Sequence, residues 1–285
     1  MRATRWKKIG LTLLLVISLS ACGGTMEESA GSENKTDETE HKTAVPSDEP
    51  LSDVEFMQMY SDPKAFVGRY VEFYAQIFTP VEKDQQATYL QAYADPVNYD
   101  LNTVIFIEDP TLDVKQDDYI FVSGVVYDEF KGANAFGAEI TAPAIKAENI
   151  KKSNYIEAVS PPIQTVEVNE KIDQSGFVVQ VNKLEIAENE TRLYVTITNE
   201  SNTNINVYTY SAKLIQNGKQ LEYEPNFDAD YPEPQSELLP GVISEGILVF
   251  PPIDPDHKQL SFVLDGSSDD WETNIDPFQF DIAWD

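Results

Sequence analysis

The sequence predicts a mainly all-β protein: a small closed barrel opened by a short helix, followed by a β-sandwich. Three observations carry this expectation. Apolar and polar residues alternate with period two in stretch after stretch, as half-buried strands require. Turn residues separate those stretches at intervals of about 8–12 residues. Helical spacing recurs at the start of the folded region, just before the first of the strands. The 285 residues allow about two domains of ordinary size. Hydrophobic residues at 41% and aromatic residues at 11% suffice to build their cores.

The first elements precede the folded region. Arg2, Arg5, Lys7 and Lys8 give a basic start, and residues 9–21 are almost wholly apolar. This is the pattern of a secretory signal over residues 1–21. The apolar run is shorter than the roughly 20 residues of an ordinary span. It ends in Leu19-Ser20-Ala21-Cys22, which resembles the bacterial lipobox. The resemblance implies a diacylglyceryl group on the Cys22 sulfur, cleavage before Cys22 and a further acyl chain on the new amino group. Two chains anchor a protein stably, each buried methylene contributing ~0.8 kcal/mol. Cys22 is the only cysteine, so the mature chain is expected to contain no internal disulfide. Residues 22–50 read as an acidic, disordered tether with Glu27, Glu28, Glu33, Asp37, Glu38, Glu40, Asp48 and Glu49 and few apolar side chains.

Residues 51–158 form the first predicted domain. Ser52 or Asp53 caps a helix on which Val54, Met57 and Tyr60 recur, with Phe56 and Met59 alongside. Ser61-Asp62-Pro63 stops it, and a turn ends near Gly68. Val71, Phe73, Ala75 and Ile77 then alternate with Tyr70, Glu72, Tyr74 and Gln76. Further strands are expected at 88–93, 103–107, 119–127 and 139–148, with breaks at Asp109-Pro110 and at Lys131-Gly132-Ala133-Asn134. Gly124, midway along the fourth strand, permits the sharp coil that closes a small barrel. The runs Asp62-Pro63…Val67-Gly68-Arg69-Tyr70-Val71, 117–126 and 143–150 resemble the OB-fold domain of bacterial lipoproteins, which is related to the anticodon-binding OB group. That resemblance covers about residues 51–153 and implies a fold without assigning an activity.

Ser160-Pro161-Pro162 marks the expected boundary, because paired prolines donate no amide hydrogen and stiffen the chain. Residues 159–285 form the second predicted domain. Phe177, Val179 and Val181 alternate on one strand, and Leu193, Val195 and Ile197 on the next. Strands at 205–208, 212–216 and 219–223 follow, the last two joined by Asn217-Gly218, a pair suited to a two-residue hairpin. Residues 237–241 form a turn, and strands at 243–250, 259–264 and 278–282 complete a sandwich. Gly176-Phe177…Val195-Thr196-Ile197-Thr198-Asn199-Glu200-Ser201, with Leu239-Pro240-Gly241…Gly246-Ile247-Leu248-Val249-Phe250, is similar to the telokin-like, immunoglobulin-like domain of Gram-positive lipoproteins. The resemblance implies fold and location. Asn199 is expected to turn the chain with its own side chain.

Charge and chemistry narrow the function. The formal net charge is −29, and it becomes −33 once the four basic residues of the first 21 leave. So acidic a chain binds nucleic acid poorly. The OB-like segment keeps aromatic residues but has no dense basic patch of the kind that binds single strands. The sequence contains no phosphate-cradling glycine loop, no Gly-x-Ser-x-Gly elbow and no histidine-rich metal spacing. His41 falls in the tether, and His257 in a turn-like Asp254-Pro255-Asp256-His257-Lys258 run. Two acidic groups are candidates for calcium, which takes six to eight oxygen ligands: Asp228 and Asp230 near Glu233, and Asp265 and Asp269 near Asp270 and Glu272. The outward aromatics Tyr70, Tyr74, Phe78, Tyr89 and Tyr93 are the candidate binding face. The resulting expectation is an extracytoplasmic lipoprotein of the cell membrane, without a cofactor beyond its lipid. It acts as a non-enzymatic binding or adaptor module for an envelope protein, peptide or glycan. The alternatives are an envelope enzyme or enzyme accessory working through carboxylates, and a structural or stress-related envelope protein.

Overall fold

A computed structural model describes residues 49–133 and 139–285. The signal, Cys22, His41, nearly all of the tether and Asn134 lie outside the described residues. Helix α1 (Asp53–Ser61) opens the described chain and a 3-10 turn (Pro63–Phe66) follows. Next come β1 (Tyr70–Ile77), β2 (Glu82–Lys83), β3 (Thr88–Asp95), β4 (Asp100–Ile107), β5 (Tyr119–Ala133) and β6 (Glu139–Lys152). A one-turn helix α2 (Tyr155–Ala158) leads into β7 (Pro162–Gln174), β8 (Phe177–Ala187), β9 (Thr191–Asn199), β10 (Ile205–Gln216) and β11 (Lys219–Glu222). Strands β12 (Glu237–Leu238), β13 (Ile243–Phe250), β14 (Gln259–Ser268) and β15 (Phe278–Ala283) complete a mainly all-β chain.

Ser52 starts α1 with a capping box. Its hydroxyl accepts the Glu55 amide hydrogen, and the Glu55 carboxylate accepts the Ser52 amide hydrogen at 3.0 Å. Arg69 ties this end down, reaching Glu55 Oε1 at 3.2 Å. The buried face of the helix is Phe56, Met59 and Tyr60, and the last donates or accepts a 2.6 Å bond with Thr103 Oγ1. Val54 and Met57 point to solvent, contrary to the sequence expectation. The 56–59–60 spacing places three large side chains on one stripe, and the Tyr60 hydroxyl finds a partner there.

The first sheet runs β1-β5-β6-β4-β3-β2, and β1 also pairs with β3 at Gln76↔Tyr93, so the sheet closes on itself. Among the described residues, only β4 and β6 pair in parallel. Val71, Phe73, Ala75 and Ile77 face inward as expected, with Leu90, Ile105, Ile120, Val122 and Ile145. Burying one such aliphatic or aromatic side chain contributes about 1.5–3 kcal/mol. Gly124 sits at a register shift between β5 and β6. A Cβ there would lie 2.7 Å from the Ala147 Cα and run into the Lys146 carbonyl. Closure therefore depends on backbone touching backbone. Strand β5 continues through Lys131–Ala133, past the expected break, because those residues pair with β6 as far as Glu139.

The second core lies between the sheets β13-β9-β8-β7 and β11-β10-β14-β15. Phe177, Leu184, Leu193, Leu214, Leu248, Phe262 and Phe280 are among its buried members. Residues 205–216 form one strand rather than two, interrupted by a bulge between Tyr208 and Lys213. Asn217-Gly218 makes the hairpin, with φ of 51° and 73°, the positive values a two-residue primed turn needs. Asn199 is fully buried. Its Nδ2 donates to the Thr203 and Leu238 carbonyls, and its Oδ1 accepts from the Ser201 amide and hydroxyl.

The Gly124 contact yields a stability prediction. Gly124→Ala should destabilise the protein by about 2–3 kcal/mol through overpacking against backbone. Gly68→Ala, at a positive φ but with open space around it, should cost only about 1 kcal/mol. Urea midpoints of the two variants measure the difference.

Candidate binding site

The side chains with the richest chemistry gather around the segment joining the two cores. Asn154 caps α2, its Oδ1 accepting the Glu157 amide hydrogen at 3.0 Å. This orients Tyr155. The Tyr155 ring meets Tyr119 at the start of β5 and Tyr231 after β11, each at 6.0 Å between centroids and nearly perpendicular. Edge-to-face contacts of this kind add about 0.5–1.5 kcal/mol beyond burial. Nearby, Tyr93 stacks on Phe78 at 4.1 Å and meets Tyr99 edge-on at 6.2 Å. Tyr99 holds a left-handed backbone with φ 53° and is half exposed. Burial, with Tyr99, Tyr155 and Asp228 close by, pushes the Tyr119 phenol up to about 12. Burial likewise raises Tyr155, helped by the Glu190 and Asp228 carboxylates. The phenols are therefore neutral at pH 7 and keep their hydroxyl hydrogens. Phe78, Tyr93 and Tyr99 form one set of ring contacts and Tyr119, Tyr155 and Tyr231 another, with Tyr99 close enough to act electrostatically on Tyr119 and Tyr155; together they make a two-part aromatic strip with hydroxyl tips.

A buried ionic cluster fixes one end of the strip. Arg192 has no solvent-exposed surface. The Glu185↔Arg192 pairing of β8 and β9 sets Nε 3.0 Å from Glu185 Oε2. Nη1 donates to Glu190, to the Ser160 carbonyl at 2.9 Å and to the Ser160 hydroxyl at 3.1 Å. Tyr231 donates to Glu190 at 2.6 Å, and Tyr194 to Glu185 at 2.9 Å. Lys183 donates to Glu185 and lies 3.9 Å above the Tyr194 ring. Two cations face two carboxylates, so the cluster is electrically balanced. Burial alone would raise the carboxyl pKa values. The bonds from Lys183, Tyr194 and Arg192 hold Glu185 below the ordinary glutamate range, and those from Tyr231, Asn226 and Arg192 hold Glu190 below it.

The five residues of the expected face are not all in ring contact with one another. Of its five residues, only Phe78 and Tyr93 are in ring contact among the described residues. Tyr74 meets Phe121 at 5.1 Å, and Tyr89 stacks with Phe106 at 6.4 Å and donates to Asp84. Tyr70 donates to Glu72. The register explains the separation, because β1 and β3 pair only at Gln76 and Ile77. Tyr70 and Tyr89 therefore stand on strands that diverge. Sequence reasoning missed Tyr99, Tyr119, Tyr155, Tyr231 and Arg192. A usable signal for the last was Glu185, Glu190 and Arg192 around a tight hairpin between apolar strands.

The two candidate calcium groups lie on separate segments. Asp228 and Asp230 are exposed on a turn. Asp265 accepts from Ser211 Oγ, and Asp269 from Asn206 Nδ2. No group of three or more potential metal ligands occurs among the described residues. The backbone carbonyl of His257 accepts from Gln216 within a turn. No helix among the described residues is long and apolar enough to cross a membrane.

No family model matches this chain, and no curated protein matches it. Among solved structures, it is similar to a functionally unknown protein from Listeria monocytogenes EGD-e, with 11% identity over 44% of this chain and 86% of the other, and a TM-score of 0.33. It is also similar to a conserved domain protein from Bacillus anthracis, with 10% identity over 74% of this chain and 76% of the other, and a TM-score of 0.32.

The ionic cluster carries two predictions. Arg192→Ala would leave two buried carboxylates without their shared cation and should cost about 3–5 kcal/mol, read as a fall in urea midpoint. The depressed carboxyls stabilise the fold fully above the unfolded glutamate value of ~4.3 and lose that contribution as pH falls through their lower folded values. Wild-type stability should therefore drop on acidification below about pH 4, and the drop should be shallower in Arg192→Ala.

Proposed function

We propose that this protein is a lipid-anchored, extracytoplasmic, non-enzymatic binding module of the bacterial cell envelope. In this reading Cys22 carries the lipid, and residues 22–50 are the tether. An OB-type barrel and an immunoglobulin-like sandwich form the folded part. Three features support the assignment of folds: the closed circuit β1-β3-β4-β6-β5, its single parallel pairing β4–β6, and the two facing sheets of the second core. The observation that carries the function is the aromatic strip. Rigid rings with neutral hydroxyls suit stacking against sugar rings or peptide side chains while fixing orientation by hydrogen bonds. The partner is accordingly an envelope protein, peptide or glycan. The Arg192 cluster holds Tyr231 in place, so the Tyr119–Tyr155–Tyr231 part of the strip is preorganised and binding there costs less ordering.

Crosslinking on intact cells tests this reading. The wild-type chain should yield a specific adduct, and Tyr93→Ala and Tyr99→Ala should each reduce it severalfold; the half-exposed Tyr99 should be replaced with little change in melting temperature, and Tyr93, which loses its stack on Phe78, with a modest fall. Cys22→Ser should release the protein from the membrane fraction. An unchanged adduct in the tyrosine variants would refute the site, and a Cys22→Ser protein that stays membrane-bound would refute the anchor.

A further inference from the structure

The end of the sandwich remote from Ser160 carries a second surface. Strand pairing defines this end: Gln174↔Phe177, Ile243↔Thr198, Ile205↔Leu238 and Ile205↔Ser268 all lie there. The connections between these strands are locked to one another. The Asn204 amide donates to Glu237 at 2.9 Å, the Asp269 amide to the Asn204 carbonyl at 3.0 Å and the Glu200 amide to the Gly176 carbonyl at 2.7 Å. Gln174 Nε2 donates to the Asp276 carbonyl at 2.8 Å.

On this rigid end three large apolar side chains face solvent. Trp271 is 88% exposed, Ile243 62% and Leu239 57%. Trp271 sits on a turn made by Asp270, which accepts from the Glu272 amide and the Thr273 hydroxyl. The indole is thus presented by an ordered loop. Residues 172–177, 197–206, 237–246 and 265–279 contain no lysine or arginine, and Glu200, Glu237, Asp269 and Glu272 are among their acids.

Leu239 and Ile243 flank one turn, which the Val242 amide closes on the Leu239 carbonyl, and Trp271 stands on the same end; exposed apolar side chains grouped among polar ones mark an interaction site, and tryptophan is prominent among the side chains that dominate binding energy. The rim selects the occupant. Single-sign acidity repels anionic lipid headgroups and nucleic acid phosphates and favours a cationic partner. We infer that this end of the sandwich is a docking surface for a lysine- and arginine-rich protein segment that also offers apolar side chains. The inference is independent of the aromatic strip, which lies toward the opposite end.

Fluorescence anisotropy with the full chain and a labelled twelve-residue peptide of alternating lysine and leucine tests it. Wild type should bind this peptide at least tenfold more tightly than versions with glutamate for lysine or serine for leucine. Trp271→Ser should weaken binding at least tenfold, as should Leu239→Ser with Ile243→Ser. Because these side chains are exposed, the variants should melt as wild type does. Raising salt to 0.5 M should weaken binding severalfold. Equal binding by Trp271→Ser, equal binding of the glutamate peptide, or Trp271-dependent binding to phosphatidylglycerol vesicles would each overturn the inference.

Discussion

A guanidinium shut away from solvent must find counter-charges and hydrogen-bond acceptors inside the protein, and Arg192 finds two carboxylates and two neutral partners in four separate segments. Glu185 comes from the neighbouring strand, Glu190 from the hairpin, Ser160 from the connection between the cores, and Tyr231 from the loop after β11. Removing a charge from water is costly unless partners and hydrogen bonds replace the hydration. That requirement makes the four segments interdependent. The connection cannot leave without exposing carbonyl and hydroxyl partners, and the Tyr231 loop cannot leave without unbalancing Glu190. The tyrosine strip inherits its rigidity from this arrangement through the Tyr155–Tyr231 contact.

The same economy governs the sheets, whose backbone groups must be paired. The first sheet removes its edges by closing through β1 and β3. In the second region the edges are managed individually. Strand β7 begins with a proline, carries a bulge between Glu167 and Glu170, and holds Asn169 at a φ of 54°. Each feature discourages a further strand from joining. Strand β13 is covered by the 232–235 segment: Ile247 donates to the Pro232 carbonyl, and Gln235 donates to Ser244 Oγ. Pro234 presses on Gly246 so closely that no Cβ would fit there. These edges are protected against pairing, which directs recognition to side-chain surfaces instead.

Two such surfaces differ in chemistry. The strip is two sets of contacting rings with hydroxyl tips, and burial raises the Tyr119 and Tyr155 phenols further above neutral pH. The remote end of the sandwich presents three exposed apolar side chains among acidic residues. One suits stacking with directed hydrogen bonds, the other electrostatic attraction completed by apolar burial. A chain with a net charge of −29 needs some local feature to hold any partner, and each surface supplies one.

Much of the framework was legible in the sequence because it rests on local rules. Period-two alternation located the strands, Ser52 announced the helix cap, Asn217-Gly218 the hairpin and Asn199 the turn that its amide closes. Gly124 was recognisable as a closure point, although the reason, the passage of the β6 backbone, was not. The helix face was misread because Val54 and Met57 satisfy helical spacing as well as Phe56 and Met59 do, and only the barrel decides which stripe it can bury. Which outward rings meet one another is decided by the same kind of information. Alternation says that Tyr70, Tyr74 and Tyr89 point outward, but register and strand divergence determine which outward rings meet. The acidic hairpin around Arg192 signals an ion pair but not its burial, since the position shares the outward parity of Tyr194 and its cover includes segments some 30 to 40 residues away. The amino-acid sequence by itself determined where strands begin, turn and alternate, because those are nearest-neighbour effects. Tertiary structure alone decided which side chains share a surface, because that depends on contacts between residues distant along the chain.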